Sequence, residues 1–207
     1  MSHLLETTSL LMILLICCSA YLLGSVSTAI LVCRSLGYPD PRSKGSHNPG
    51  TTNVFRLAGK TAATLTLIGD IAKGVIPVFI GLLLEIKHLY LGLIGLCVFL
   101  GHLYPLFFRL KGGKGVATAL GVIHVLSWQT GLCLDVAWLL LLMVFRYSSL
   151  AAVISWSTAP FILFYFAPES VGPITLLSAL LIYRHKTNIK NLINGTEKKM
   201  GASKSSI

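Results

Sequence analysis

Seven apolar runs, separated by polar connections, dominate the sequence. Apolar stretches of about 18 or more residues are long enough to cross a bilayer as helices. The pattern therefore predicts an all-α, polytopic membrane protein with about seven transmembrane helices. The runs cover residues 9–33, 61–84, 89–108, 115–127, 132–145, 148–166 and 171–183.

Several of the runs are short for a full crossing. A helix needs about 20 residues to cross a hydrocarbon core of about 30 Å, whereas runs 115–127 and 132–145 have 13 and 14. These two are either tilted short helices or a re-entrant pair, so seven and five full spans both remain open. Run 171–183 is expected to continue as helix to Asn194, because Gly195 provides a stop signal.

The composition agrees with a chain that has almost no soluble part. Of its 207 residues, 54% are hydrophobic and 12% are charged, and its mean hydropathy is +0.78. A soluble domain carries roughly 25% charged residues. A single integral membrane domain is expected over residues 1–195, and residues 196–207 are expected to form a disordered basic tail.

The cations predict the orientation of the chain. Fifteen of the 17 Lys and Arg lie in connections that fall on one side if every run crosses: 34–60, 109–114, 146–147 and 184–207. The positive-inside rule places this side in the cytoplasm, so the amino terminus is outside and the carboxyl terminus is cytoplasmic. Soluble nucleic-acid binders share a net charge near +10, but the concentration of cations in short membrane connections argues against nucleic acid as a partner.

The first of these connections has the composition of an anion site. In residues 45–53, glycines let backbone N–H groups turn toward a ligand, and hydroxyls and amides add further donors. Arg56 can bind phosphate through two parallel hydrogen bonds. A turn-rich connector is the simpler interpretation, but 27 residues (34–60) are many for a connection in a compact bundle. The candidates are Ser46, Asn48, Thr52, Asn53 and Arg56.

A second motif, Lys-Gly-Gly-Lys-Gly over residues 111–115, precedes an apolar run on the same side. Free N–H groups and the helix dipole attract anions to helix N-termini, so Gly112, Gly113 and Lys114 are candidates. The motif is not a Walker P-loop, because Gly115 replaces the Ser or Thr that binds magnesium. Anchoring by positive charge would explain the lysines but not the three glycines.

A third motif, Arg-His-Lys-Thr-Asn over residues 184–188, ends the last run. His185 and Asn188 are three residues apart, so they would share one face of a helix. Taken alone, this motif is typical of simple interfacial anchoring. Its position on the same side as the two other motifs favours a shared phosphate site.

Carboxylates are scarce on the predicted cytoplasmic side. No acidic cluster is available to hold magnesium, so neither a metal nor a cofactor is expected. Asp70 and Lys73, three residues apart inside the second run, are interpreted as a structural ion pair near the site. No His-(any four)-Asp or Gly-x-Ser-x-Gly motif occurs, which leaves the common acyltransferase and hydrolase architectures unsupported. A site that is rich in cations and amides but poor in bases suits a substrate that is already activated.

In their order and spacing, the three motifs resemble the bacterial acyl-phosphate:glycerol-3-phosphate acyltransferase family. The resemblance runs from Tyr21 to Gly195, and one departure is His47, where the family often has glycine. It is firmest over residues 45–56, 69–74 (Gly-Asp-Ile-Ala-Lys-Gly), 101–105, 111–121 and 183–189.

The resemblance implies an enzyme of the bacterial inner (cytoplasmic) membrane, with seven transmembrane helices and an active site that faces the cytoplasm. It would transfer an acyl group from acyl phosphate to glycerol-3-phosphate, giving lysophosphatidic acid and inorganic phosphate, the first acylation of phospholipid synthesis. Membrane lipid and a soluble enzyme that forms the acyl phosphate are implied partners. The residues that match the phosphate-lined pocket of the family are Ser46, Arg56, Lys114, Ser149, His185 and Asn188.

Direct attack of the glycerol phosphate hydroxyl on the acyl-phosphate carbonyl would need no covalent enzyme intermediate. The protein would hold two anions together with its cations. Ser46, Lys114 and His185 are the catalytic candidates. Either His185, whose pKa can lie near neutrality, or a substrate phosphate oxygen would accept the proton.

Two functions of other classes remain as alternatives. A transporter or channel for a phosphorylated metabolite would share the basic cytoplasmic mouth, but transporters usually bind near the bilayer midplane and often contain repeats. The sequence has no internal repeat, and its polar motifs lie at the ends of apolar runs. A membrane scaffold that binds anionic lipids would explain the charge but not the glycine and asparagine cradles.

Overall fold

The structure is a computed structural model that describes residues 2–200, with side chains from Leu10 onward. Within this part, the chain forms nine α-helices, two short 3₁₀ turns (Leu106–Phe108 and Pro168–Ser170) and no strand. The helices are α1 (Ser2–Gly24), α2 (Thr28–Ser35), α3 (Thr51–Leu83), α4 (His88–Leu103), α5 (Val116–Leu126), α6 (Trp128–Phe145), α7 (Ser148–Phe166), α8 (Val171–Arg184) and α9 (Lys186–Ile193).

Each predicted apolar run contains helix, but the run over 9–33 is divided at residues 25–27 into α1 and α2. Five segments of the described chain are long and apolar enough to cross a membrane: Leu10–Ser35, α3, His88–Phe108, α6 and α7. Helices α5 and α8 have only 11 and 14 residues, which is about 17 and 21 Å at 1.5 Å per residue. The all-helical membrane fold is confirmed, whereas seven crossings and the orientation of the termini stay predictions.

The run predicted over 132–145 belongs to a longer helix. Helix α6 begins at Trp128 and has 18 residues. The hydroxyl of Ser127 accepts a hydrogen bond from the backbone N–H of Thr130 at 3.1 Å, which caps the helix where its first N–H groups lack helical partners. Because this first turn contains polar residues, the apolar run alone marks the start of the helix four residues too late.

The connection after the first apolar run is shorter than the 27 residues counted from the sequence. Helix α3 begins at Thr51, so Thr52, Asn53 and Arg56 lie on its first two turns rather than in a loop. At Gly59 the backbone leaves helical geometry, with φ 81° and ψ −171°, a conformation that glycine adopts without steric cost. Residues 60–83 then form the part of α3 that matches the predicted run 61–84.

The last helix is also interrupted. Helix α8 ends at Arg184, and His185, with φ −90° and ψ 5°, separates it from α9. The uninterrupted helix expected as far as Asn194 is therefore wrong at one residue. The chain leaves α9 at Gly195, whose φ is 68°, as the glycine stop signal predicts.

The helices pack closely around one main core. Helix α3 packs on α5 and α1 on α4, while α7 lies between α6 and α8. Gly74 and Gly121 let α3 and α5 approach, since a Cβ at either position would overlap a backbone carbonyl oxygen of the other helix. Phe161 and Tyr165 are 73% and 81% exposed, as expected of side chains that face lipid.

The ion pair expected inside the second run is present. The ammonium of Lys73 lies 2.8 Å from Oδ1 of Asp70, and the two side chains are 5% and 3% exposed. Thr28 donates to the same carboxylate oxygen at 2.6 Å, and Lys73 donates to the carbonyl oxygen of Val26 at 3.0 Å. The pair therefore fixes the corner between α1 and α2 against α3.

The tail prediction is untested for residues 201–207, which lie outside the described residues. Residues 196–200 lie against the rest of the chain, where the backbone N–H of Met200 donates to the carbonyl oxygen of Arg146 at 2.7 Å. The tail therefore reaches the start of α7.

Replacing Asp70 with Asn should lower the free energy of unfolding by about 3–5 kcal/mol, because the buried ammonium of Lys73 loses its counter-charge. Thermal unfolding of the purified protein in detergent measures the loss. Asp135→Asn is the matched control: Asp135 pairs with His124 at 3.1 Å, but the two side chains are 38% and 39% exposed, so about 1 kcal/mol or less is expected. Equal losses for the two variants would contradict this assignment.

Candidate phosphate-binding site

A cavity of about 450 Å³ lies where α3 begins and where α8 passes into α9. All three sequence motifs contribute to its wall, together with the tail that follows α9. The residues predicted from the sequence that line it are Ser46, Asn48, Arg56, Gly112, Lys114 and Asn188. The fold thus brings together stretches that are separated by more than 130 residues of sequence.

The side chain of Asn53 shapes the first wall. Its Oδ1 accepts from the backbone N–H of Ser46 at 3.0 Å, and its Nδ2 donates to the carbonyl oxygens of Pro41 at 2.8 Å and Lys44 at 3.1 Å. Asn53 is 1% exposed. Since both amide hydrogens are used within the loop, Asn53 holds Ser46 at the cavity and does not line it.

The guanidinium of Arg184 joins the second and third motifs. It donates to the carbonyl oxygens of Gly112 and Gly113, each at 3.0 Å, and its carbon lies 5.6 Å from the centre of the Tyr104 ring. Sequence analysis placed Arg184 in the third motif but gave it no individual role. The planar guanidinium instead fixes the backbone of the glycine loop through several parallel donors.

Lys114 extends from this loop into the cavity. Its ammonium donates to Oδ1 of Asn188 at 2.5 Å. Burial lowers the pKa of Lys114 to about 8, as does repulsion by Arg184 and Arg56, while Glu197 opposes the shift. Lys114 is therefore charged at neutral pH, but it loses its proton in mildly alkaline solution.

His185 lies beside the cavity, not in its wall, and is 2% exposed. Its Nδ1 is 2.8 Å from the carbonyl oxygen of Leu181. A carbonyl oxygen only accepts, so Nδ1 carries the proton and Nε2 of the neutral ring is unprotonated. Burial, followed by repulsion from Lys114, lowers the pKa of His185 to about 4, so the ring is neutral at physiological pH.

Glu197, from the tail, is a residue that sequence analysis missed. Its carboxylate accepts from the hydroxyl of Ser149 at 2.6 Å and from Nδ2 of Asn188 at 2.7 Å. Because Nδ2 of Asn188 faces Glu197, its Oδ1 is left to accept from Lys114. Glu197 thereby sets the amide orientation on which the Lys114 contact depends. Local sequence carries no signal for this role, since Glu197 lies in a polar, lysine-rich segment.

Not all predicted site residues reach the cavity. Thr52 lies on the first turn of α3, and the N–H of Gly113 donates to the carbonyl oxygen of His102 at 3.2 Å; neither residue lines the cavity. Ser149 meets the cavity through Glu197. The roles assigned to these residues from the sequence stay predictions.

The charge of the cavity wall suits a phosphate. Four further side chains bring cations to it besides Lys114, and Glu197 supplies the one carboxylate among the lining residues. These four cationic side chains are Arg56, Arg184, Lys186 and Lys198.

Within residues 2–200, no three His, Cys, Asp or Glu side chains are grouped so that they could hold a metal ion. The expectation of a metal-free site stays a prediction.

Known proteins match most of this chain. The sequence model of the family described as glycerol-3-phosphate acyltransferase matches residues 14–195. A glycerol-3-phosphate acyltransferase of Colwellia psychrerythraea is 49% identical over 191 residues, which cover 92% of this chain and 97% of that protein. One from Pasteurella multocida is 50% identical over 181 residues, covering 87% of this chain and 90% of the relative.

Two solved structures share the fold. The crystal structure of PlsY, an integral membrane glycerol 3-phosphate acyltransferase, in its glycerol 3-phosphate form has a TM-score of 0.87 at 38% identity, with 91% of this chain and 96% of that chain covered. The lysophosphatidic acid form has a TM-score of 0.85 at the same identity, with 91% and 95% covered. The resemblance inferred from the motifs is confirmed: the chain belongs to the glycerol-3-phosphate acyltransferase family.

Proposed function

We propose that this protein transfers an acyl group from an acyl phosphate to glycerol-3-phosphate and releases lysophosphatidic acid and inorganic phosphate. The cationic cavity in which Lys114 meets Asn188 carries the proposal. Membership of the family supports it, as do the glycerol 3-phosphate and lysophosphatidic acid forms of the related PlsY.

The two substrates each bring a phosphate, and their mutual repulsion is the main obstacle to reaction. Lys114 and Arg56, both in the cavity wall, offset that repulsion, and the hydroxyl of Ser46 adds a donor. Binding both anions in one cavity converts a two-molecule encounter into a reaction within one complex. Charge that develops on the carbonyl oxygen and the leaving phosphate is stabilised by the same fixed groups.

The chemical step needs only a proton acceptor, because the acyl phosphate is already activated. The primary hydroxyl of glycerol-3-phosphate attacks the acyl carbon, the C–O bond to phosphate breaks, and inorganic phosphate leaves. A substrate phosphate oxygen, with a second pKa of about 6, takes the hydroxyl proton. His185 is a poorer acceptor, because its pKa is lowered to about 4 and the ring does not line the cavity.

The surroundings follow from the same chemistry. The acyl chain is apolar and is expected to reach the site from the bilayer, whereas glycerol-3-phosphate is water-soluble. The cation distribution favours a site on the cytoplasmic side of the bacterial inner membrane. Acyl phosphate hydrolyses readily, so a soluble enzyme that forms it is the expected partner on that side.

A transporter is the less suitable function. Transporters place their ligand near the middle of the membrane, whereas this cavity is lined by connecting segments, the start of α3, the end of α8, α9 and the tail. The catalytic interpretation is therefore preferred.

Purified protein in detergent should form lysophosphatidic acid from glycerol-3-phosphate and palmitoyl phosphate, but not from palmitoyl-CoA. The acyl phosphate brings the second phosphate that the cavity is charged to hold next to the acyl carbon. Product is measured with radiolabelled glycerol-3-phosphate. Lys114→Ala protein, purified in parallel, controls for contaminating enzymes. Equal product from palmitoyl-CoA, or no product from palmitoyl phosphate, would contradict the proposal.

The value of kcat/KM for glycerol-3-phosphate should fall as pH rises through about 8, because free Lys114 loses its proton there. Lys114→Arg should remove this alkaline decline, since a guanidinium stays charged, and Lys114→Ala should lower kcat/KM about 10²–10³-fold at pH 7. The pH profile of kcat/KM reports the free enzyme. An alkaline decline that persists unchanged in Lys114→Arg would assign it to another group.

Replacing His185 with Asn should leave kcat within about tenfold of the unsubstituted protein, since loss of a general base typically costs 10²–10⁴-fold. The substrate phosphate, with a second pKa of about 6, is the proposed acceptor, so any decline between pH 7 and pH 5 should be the same in His185→Asn as in the unsubstituted protein. Steady-state kinetics over that range check both points. A loss of three orders of magnitude with normal folding would make His185 the proton acceptor.

A further inference from the structure

His102 has no part in the chemistry described so far, although it is a buried, titratable side chain next to the glycine loop. It lies one residue before the end of α4 and is 7% exposed. Its backbone carbonyl oxygen accepts from the N–H of Gly113 at 3.2 Å. The side chain does not line the cavity, so any effect on the reaction must pass through another residue.

One edge of the imidazole rests on a rigid base. Its Nδ1 is 3.3 Å from the hydroxyl of Thr118 on α5 and 3.6 Å from Oδ1 of Asp70 on α3. The same carboxylate is held by Lys73 at 2.8 Å and by Thr28 at 2.6 Å. These groups belong to three helices, so the ring has little freedom to move.

The other edge of the imidazole faces Gly113. A Cβ built on Gly113 would overlap the ring, and the three atoms nearest to that Cβ are Nε2, Cε1 and Cδ2 of His102. The carbonyl oxygen of Gly113 accepts from Arg184 at 3.0 Å. Gly113 therefore contacts both the imidazole of His102 and the guanidinium of Arg184. Because Lys114 is the next residue, these contacts also influence where Lys114 lies.

We propose that His102 is a positioning residue. Its ring supports Gly113 and so fixes the position of the glycine loop, and with it the position at which Lys114 binds the substrate phosphate. The inference rests on the proposed acyl transfer for the identity of that phosphate. Without the ring, the loop can move into the space that the imidazole occupied, and Lys114 then moves away from Asn188. Displacement of a binding group by about 1 Å can cost about 10²-fold in rate.

The test is a double-mutant cycle between His102 and Gly113. Gly113→Ala alone should weaken glycerol-3-phosphate binding and lower kcat/KM, because its Cβ overlaps the ring. His102→Ala alone should raise KM for glycerol-3-phosphate more than it lowers kcat. Combined with Gly113→Ala, it makes room for the methyl group, so the double variant should recover about tenfold in kcat/KM over Gly113→Ala, as directly contacting residues do in such cycles.

Gly112 provides the matched control. A Cβ on Gly112 would meet the backbone oxygens of His102 and Leu103 and the Cδ of Pro105, not the imidazole. Removing the ring cannot relieve that overlap, so His102→Ala should leave Gly112→Ala unrescued. A merely structural role for His102 would make both double variants worse than either single variant. The proposal would also be overturned if both doubles were rescued equally.

Two further measurements keep each outcome decisive. If His102→Ala protein fails to fold, His102→Asn takes its place, because its amide retains a polar atom toward Asp70 and Thr118 while removing the edge that faces Gly113. Affinity for glycerol-3-phosphate and for inorganic phosphate, measured by equilibrium dialysis without an acyl donor, shows the rescue independently of turnover. Failure of the unsubstituted protein to acylate glycerol-3-phosphate would reject the proposed function, whereas failure of the rescue in binding would reject the role of His102.

Discussion

The contact between Arg184 and the carbonyl oxygens of Gly112 and Gly113 is the interaction on which the site depends. A loop of small residues has no side chains to pack, so its conformation must be imposed from outside. Arg184 imposes it from one side, and the imidazole of His102 lies against the other. With the loop fixed, Lys114 reaches Asn188 on α9, and two distant motifs become one wall.

Cations that lie close together in a partly buried cavity repel one another, and the carboxylate of Glu197 partly offsets this repulsion. Burial and repulsion by Arg184 and Arg56 lower the pKa of Lys114 to about 8. Glu197 opposes this shift, and its carboxylate also orders Ser149 and Asn188. A phosphate that enters the cavity meets groups already oriented, so little reorganisation remains for binding and reaction.

Sequence reasoning succeeded for features that depend on residues near each other in the chain, and it failed for features that depend on tertiary contacts. The seven apolar runs each predicted helix correctly, although the run over 9–33 forms two helices, because the bilayer selects continuous apolar stretches. The pair Asp70–Lys73 was foreseen because intramembrane charges need a partner nearby. The start of α3 at Thr51 and the break at His185 were missed. Both lie in polar segments, which have no hydrophobic pattern that could predict helix boundaries. Tertiary contacts determine the backbone conformation there.

The sequence by itself determined the membrane class, the helical architecture, the family and six residues of the cavity wall, because composition, run length and motif spacing are properties of the chain. Only the tertiary structure decided which donors are free. It assigned the amide of Asn53 to its own loop, placed His185 beside the cavity, and recruited Glu197 and Arg184. Such choices depend on distances between residues far apart in sequence, and no local pattern encodes those distances.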